Sequence, residues 1–147
     1  MQIIGLGAST PVGRNIWASA AAARAGICGF SEHPFMIDTA GEPMRISRAP
    51  WLEMDIEGVE RYCELLLPAI DEALTPVRAQ LKRQNTRMGL ALALPPQRPG
   101  APPTLAQDIL SAIDLRYAGL FALTVSFEVG HAAGHLALDS AIKICVA

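Results

Sequence analysis

Four side chains near the end of the sequence have types and spacings that could bind a metal ion: Glu128, His131, His135 and Asp139. If all four lay on one helix, their i, i+3, i+7 and i+11 positions would share a face. Glu-x-x-His is also a spacing of carboxylate-bridged metal sites. However, we expect Glu128 just before the helix, and the sequence has no second Glu-x-x-His. The favoured interpretation is that Asp139 is solvated and that the two histidines are core or interface residues.

A glycine-rich segment near the start, Gly5-Leu6-Gly7-Ala8-Ser9-Thr10, is the second candidate site. Following a strand and preceding a helix, it suggests the G-x-G-x-x-G dinucleotide fingerprint. Its third position is Thr10 instead of glycine, and Pro11 follows at once. The sequence also lacks the G-x-x-x-x-G-K-[ST] phosphate-binding motif. We therefore favour a tight strand-to-helix turn whose glycines allow close backbone packing, and we expect no cofactor.

The cysteines and serines do not form a recognisable nucleophile. Cys28, Cys63 and Cys145 are odd in number and widely spaced, which suggests a reducing compartment without a disulfide framework. None of them follows a strand at the start of a helix, where backbone dipoles would favour a thiolate. Ser126 lies near His131 in the sequence, but no acidic third member is evident and G-x-S-x-G is absent. We do not expect a serine hydrolase.

The basic residues could meet an acidic partner, such as a carrier protein with its phosphopantetheine arm. A solvated surface is the more economical interpretation, because they are spread over loops and helix ends. The net charge of −2 and the isoelectric point near 5.9 show no excess of positive charge of the kind that nucleic-acid binding requires. The basic residues concerned are Arg45, Arg48, Arg78, Lys82, Arg83, Arg87 and Arg98.

The composition is apolar for a chain of 147 residues, with 51% hydrophobic and 18% charged residues and a mean hydropathy of +0.29. The length fits one domain, 1–147. High hydrophobicity with low net charge excludes a disordered chain. The longest apolar runs, at 16–23 and 88–96, are far shorter than a membrane span, and the start lacks a secretory signal. We expect a cytoplasmic protein whose excess apolar surface is covered by a partner.

The elements that must position these residues follow from apolar runs, glycines and prolines. Pro68 and Pro76 are expected to kink or break the longest helix. Continuous apolar strands joined by helices predict an α/β fold, with a mostly parallel sheet covered by helices on both faces and the three apolar strands side by side. We expect strands at 2–7, 88–94 and 120–127, helices at 15–25, from 55 or 57 to about 82, at 104–117 and at 132–146, a hairpin-like excursion around 38–43, and an exposed loop at 97–103.

Three segments resemble β-ketoacyl synthases. The opening, Ile3-Ile4-Gly5-Leu6-Gly7-Ala8-Ser9-Thr10-Pro11-Val12-Gly13, is similar to the Gly-x-Gly-x-x-[Ser/Thr]-Pro-[Leu/Val]-Gly start of that family, and Trp17…Ala23-Arg24-Ala25-Gly26-Ile27 resembles the stretch that follows. Gly130-His131-Ala132-Ala133-Gly134-His135-Leu136-Ala137-Leu138-Asp139-Ser140-Ala141 looks like the family's nucleophile helix. The resemblance implies the N-terminal half of a thiolase-like layered fold, as an incomplete domain over 1–147.

The resemblance also carries expectations for activity. The nucleophilic cysteine of the family begins the buried helix, and His131 occupies that position here. The family's catalytic histidines come from a C-terminal half that this sequence lacks. We therefore expect a β-ketoacyl synthase-like protein of fatty acid or polyketide acyl-thioester metabolism, without condensing activity on its own. The alternatives are a fragment of an active acyltransferase and a helical metal-binding or protein-interaction module.

The same resemblance implies partners. Half of a thiolase-like fold leaves a sheet face or edge unburied, so we expect a homodimer or docking to a complementary half. An acyl carrier protein is a further expected partner, whereas nucleic acid and membrane are not expected.

Overall fold

The computed structural model describes residues 2–84 and 88–146, without the side chains of Cys145 and Val146, and confirms a mixed α/β class. It contains an antiparallel and a parallel pair of strands. In chain order the elements are α1 (Ile16–Arg24), β1 (Phe30–Ile37), β2 (Pro43–Ser47), α2 (Gly58–Leu74), α3 (Arg78–Gln84), β3 (Met88–Ala93), α4 (Leu105–Arg116), β4 (Phe121–Phe127), a 3₁₀ turn (Gly130–Ala132) and α5 (Ala133–Val146).

The chain divides into two compact units. One contains 4–57 and 64–76, and therefore α1, the β1–β2 hairpin and most of α2. The other contains 1–3, 58–63 and 77–147, and therefore the β3–β4 pair with α3, α4 and α5. Within the described residues, no helix is both long enough and apolar enough to cross a membrane.

In the first of these units, α1 begins and ends where its capping residues predict. Asn15 is the N-cap, and its Oδ1 accepts a hydrogen bond of 2.8 Å from the amide of Ala18. The helix ends at Arg24, and Gly26 then adopts a left-handed φ of +72°. The predicted helix at 15–25 is therefore confirmed.

The predicted hairpin-like excursion is also confirmed. β1 and β2 pair in antiparallel fashion, with Phe30 opposite Ser47. The connecting turn is held by Asp38, whose Oδ1 accepts hydrogen bonds from the amides of Ala40 and Glu42 at 2.8 and 3.0 Å.

The long predicted helix is broken at only one of its two prolines. Pro68 lies inside α2, with its ring exposed, and the helix continues past it. At Pro76 the chain leaves the helix, and α3 starts at Arg78. The break coincides with Pro76, which has no amide hydrogen for a helical bond; Pro68 lacks one as well, but α2 continues past it.

In the second unit, β3 and β4 form a parallel pair connected by α4, in which Gly89 lies opposite Leu123 and Leu92 opposite Ser126. Ala141 and Ile144 of α5 line a cavity together with Leu123 and Val125, whereas residues of α4 line a separate pocket together with Thr124. Because alternate strand residues point to opposite faces, α4 and α5 cover opposite faces of the pair. The core of this unit includes Leu92, Leu94, Leu105, Ile109, Ile113, Ala133 and Ala137.

The predicted strand at 2–7 is wrong. This segment is extended but pairs with no strand, so the three apolar segments do not form one sheet in the described residues. Gly5 and Gly7 instead lie against the backbone of α2, at Ala73 and Ala69. The run was apolar enough to indicate a buried strand, but Ile3, Ile4 and Leu6 are exposed. Its glycines, and not its large side chains, make the packing contacts.

Candidate functional site

The turn between β4 and α5 carries His131, the residue that the resemblance places at the nucleophile position. β4 ends at Phe127, and α5 starts at Ala133 after the 3₁₀ turn. Gly130 makes the change of direction with a left-handed φ of +65°, a conformation that glycine adopts at little cost. His131 follows and is exposed. The structure thus places this imidazole where a strand ends and a helix begins.

The loops that follow the two parallel strands meet at the same edge. The amide of Leu94 donates to the carbonyl of Phe127 over 2.8 Å, so the pairing extends to the last residues of both strands. A Cβ built on Gly130 would lie 3.4 Å from Cδ of Pro96, in ordinary van der Waals contact. Because parallel strands present their carboxyl ends at one edge, this is where ligands bind in many open α/β sheets.

A small groove lies at this edge. Its volume is about 30 Å³, so that it holds a group of one or two heavy atoms and not a whole substrate. Arg98 and Glu128 bring opposite charges to it, and the start of α4 at Leu105 borders it. The helix start favours negative charge nearby. The groove is lined by Tyr62, Leu94, Pro95, Pro96, Gln97, Arg98, Ala101, Leu105, Ala106 and Glu128.

The four residues of the candidate metal site are not brought together. Among the described residues, no group of three or more His, Cys, Asp or Glu side chains is placed to hold a metal ion. Glu128 precedes the 3₁₀ turn and His131 lies within it, so neither residue follows the α-helical phase of His135 and Asp139. Asp139 instead accepts from Nζ of Lys143 over 2.7 Å, one turn along α5. The metal-binding alternative therefore has no geometric support.

The other candidate nucleophiles are placed away from helix starts. Cys28 is exposed, two residues before β1. Cys63 is half-buried within α2, and the side chain of Cys145 lies outside the described residues. Ser126 lies inside β4 opposite Leu92, and not at the strand end. The expectation that no cysteine follows a strand at the start of a helix holds for Cys28 and Cys63.

The glycine-rich segment serves packing. A Cβ on Gly5 would overlap the carbonyl oxygen of Ala73, and one on Gly7 that of Ala69. Since these two alanines are four residues apart in α2, the extended segment runs along one face of that helix, opposite in direction. The close-packing interpretation of the two glycines is confirmed, although the segment is not a strand.

The carboxylate of Glu72 accepts hydrogen bonds from two backbone amides on either side of the turn that follows the glycines. Its Oε2 accepts a hydrogen bond of 3.0 Å from the amide of Ala8, just after the glycines. Both carboxylate oxygens lie within 3.1 Å of the amide of Ile16, the first residue of α1. A helix start attracts anions, and here the protein supplies its own. Sequence reasoning missed Glu72; its signal was a carboxylate between the small residues Ala69 and Ala73.

The basic residues lie on separate elements. The guanidinium of Arg45 on β2 lies 5.8 Å from the ring centre of Phe30. Arg48 donates from Nη2 to the carbonyl of Leu52 over 3.4 Å. Lys82 and Arg83 close α3, and Arg87 lies outside the described residues. Arg45 and Arg48 belong to one compact unit, and Lys82 and Arg83 to the other.

Comparisons of this chain with protein-family models, with curated proteins and with solved structures find no match.

Proposed function

We propose that this chain is a β-ketoacyl synthase-like protein that binds acyl thioesters without condensing them. The observation that carries the proposal is the position of His131, in the turn between β4 and α5. The resemblance of 130–141 to a nucleophile helix assigns the acyl-accepting position to this residue.

The order of elements supports a thiolase-like origin. The strands β3 and β4 form a parallel pair connected by α4, and α5 packs on both strands. In the proposed fold this unit belongs to the N-terminal half of a thiolase-like structure, and α5 is its nucleophile helix. The absence of strand pairing at 2–7 is the main departure from that arrangement.

The chemistry at this position favours binding over turnover. The start of α5 carries a partial positive charge that stabilises the oxygen of a thioester carbonyl. A condensing cycle needs a nucleophile that holds the acyl group covalently, and thiolate is the group suited to that task. His131 presents a neutral or protonated imidazole instead. The proposed role is therefore to hold an acyl-carrier thioester beside the turn.

The test compares two cysteine variants exposed to an acyl-pantetheine thioester and analysed by intact-mass spectrometry. His131→Cys restores a thiol at the start of the helix, where the dipole favours thiolate, and should gain one acyl group per chain. Leu138→Cys places the same thiol on an exposed site in the second turn of α5, beyond the reach of the helix start, and should remain largely unmodified. The native chain should bind the thioester reversibly, with NMR shift changes at the amides of 130–133 and no added mass at His131.

Three outcomes would count against the proposal. Equal acylation of the two variants would show that the turn has no special reactivity. No shift changes at 130–133 would remove the binding role. A covalent acyl adduct located on His131 of the native chain by peptide mapping would favour the alternative of an active acyltransferase, whereas an adduct on the exposed thiol of Cys28 is ordinary thioester exchange in both variants and the native chain.

The proposal includes a partner surface and a cytoplasmic setting. Several large apolar side chains are exposed, including Trp17 on α1, Phe35 on β1 and Leu115 on α4. Single exposed apolar residues are common, but their number here suits association with a second copy or a complementary half. Sedimentation equilibrium tests this; a monodisperse monomer that binds no apolar dye would contradict it.

A further inference from the structure

The β1–β2 hairpin contains an irregular stretch around His33. Glu32 lies opposite Arg45, and the next aligned pair is Ile37 with Pro43. β1 therefore advances five positions while β2 advances two. Backbone amides in such a bulge lose their partners in the ladder and need other acceptors.

His33 supplies the acceptor for two of these amides. Its Nδ1 accepts hydrogen bonds from the amide of Phe35 over 3.1 Å and from that of Met36 over 2.9 Å. Asn and Asp side chains make the same kind of local turn with an oxygen. A ring nitrogen can accept only while it carries no hydrogen, so these two contacts require the tautomer whose proton is on Nε2.

We propose that His33 makes the conformation of this bulge depend on pH. When a solvent proton binds to the lone pair of Nδ1, the nitrogen becomes a donor, and the amides of Phe35 and Met36 lose their acceptor together. The two contacts exist only with the neutral ring. They are therefore lost when the ring takes up a second proton, and a fall in pH favours that form.

The charges of the hairpin do not replace the missing acceptor. Glu32 precedes His33, and its backbone lies opposite that of Arg45, whose guanidinium lies 5.8 Å from the ring centre of Phe30. In the turn, Asp38 already accepts from the amides of Ala40 and Glu42.

The part of β1 that follows His33 carries exposed apolar side chains. Phe35 is 80% exposed, and Ile37 is also exposed. The ring of His33 lies edge-on to that of Phe35, with centroids 6.2 Å apart. Protonation therefore changes how these side chains are presented, and with it any apolar contact that the hairpin makes. This inference is independent of the acyl-thioester proposal, since it concerns the other compact unit.

The experiment is ¹⁵N NMR of the full chain between about pH 8 and pH 5, the range over which histidine changes its charge. The amide signals of Phe35 and Met36 should move with the same midpoint as the ring nitrogens of His33. Couplings between Nδ1 and these amide nitrogens across the hydrogen bonds should be present at the upper end and absent at the lower end.

Two variants provide the controls. His33→Asn offers an oxygen that accepts similarly but does not titrate, so both amides should keep their high-pH positions throughout. His33→Ala should show the released positions at every pH; if it fails to fold, the asparagine variant still decides. The inference is overturned if the two amides do not follow the His33 titration, or if they titrate equally in His33→Asn.

Discussion

The carboxylate of Glu72 binds the amide of Ile16 at the start of α1, with N···O distances of 3.1 Å to Oε1 and 3.0 Å to Oε2. The same Oε2 accepts from the amide of Ala8. One side chain of α2 therefore joins the end of the glycine-rich segment to the first turn of the next helix. A segment that suggested phosphate binding is held by a carboxylate of the chain itself.

Removing this carboxylate should destabilise the protein. Glu72→Ala leaves the amides of Ala8 and Ile16 without their acceptor in a half-buried place, and we expect a loss of about 1–3 kcal/mol in the free energy of unfolding. Glu72→Gln keeps one oxygen acceptor and should lose less. Chemical denaturation measures both against Glu64→Ala, a change at an exposed position of α2. Equal losses of stability for Glu72→Ala and Glu64→Ala would show that the hydrogen bonds from the amides of Ala8 and Ile16 to Glu72 do not stabilise the fold.

A matched pair of glycine substitutions tests the packing of the extended segment. Gly7→Ala places a methyl group against the carbonyl oxygen of Ala69, where no flexible side chain can yield. We expect a loss of about 1–3 kcal/mol or more from the overpacking. Gly134→Ala in α5 meets nothing within 4 Å and should stabilise by up to about 1 kcal/mol through helix propensity. Thermal unfolding of both variants gives the comparison, and a tolerated Gly7→Ala would refute the close approach.

Much of the local structure could be predicted from the sequence because its signals are local. Asn15, Asp38 and Pro76 act on their own neighbours, and the elements they delimit are where they were expected. The strand at 2–7 was mispredicted because an apolar run does not reveal whether its glycines face a strand or a helix. That choice depends on Ala69 and Ala73, more than sixty residues away.

The candidate site also has one part that local sequence predicts and another part that depends on tertiary contacts. The position of His131 after a strand follows from the apolar run to Phe127 and from Gly130, both within a few residues. The approach of Gly130 to Pro96 and the role of Glu72 depend on tertiary contacts between distant segments. Such contacts cannot be inferred from a single sequence by periodicity or capping.

The core of the second unit can be tested on α4. Ile109 is 0% exposed, whereas Leu115 on the same helix is 86% exposed. Ile109→Ala should cost about 2–5 kcal/mol of stability, because it deletes buried hydrocarbon and leaves a cavity. In the monomeric chain, Leu115→Ala should change stability by less than about 0.5 kcal/mol. Urea unfolding of the two variants is the measurement; a costly Leu115→Ala would show that this side chain is covered by a partner in solution.

The apolar cavity under the last turns of α5 offers a stabilising change. Its volume is about 80 Å³, and its lining includes Ala91, Leu123 and Ile144. Ala91→Val adds two methyl groups facing this space, and we expect a gain of up to about 1.5 kcal/mol from the hydrocarbon buried. Ala93→Val makes the same change at an exposed position of β3. This control therefore has the same gain in strand propensity from valine but does not fill the cavity. The difference between their unfolding free energies isolates the cavity, and no difference would mean that this space is already filled in solution.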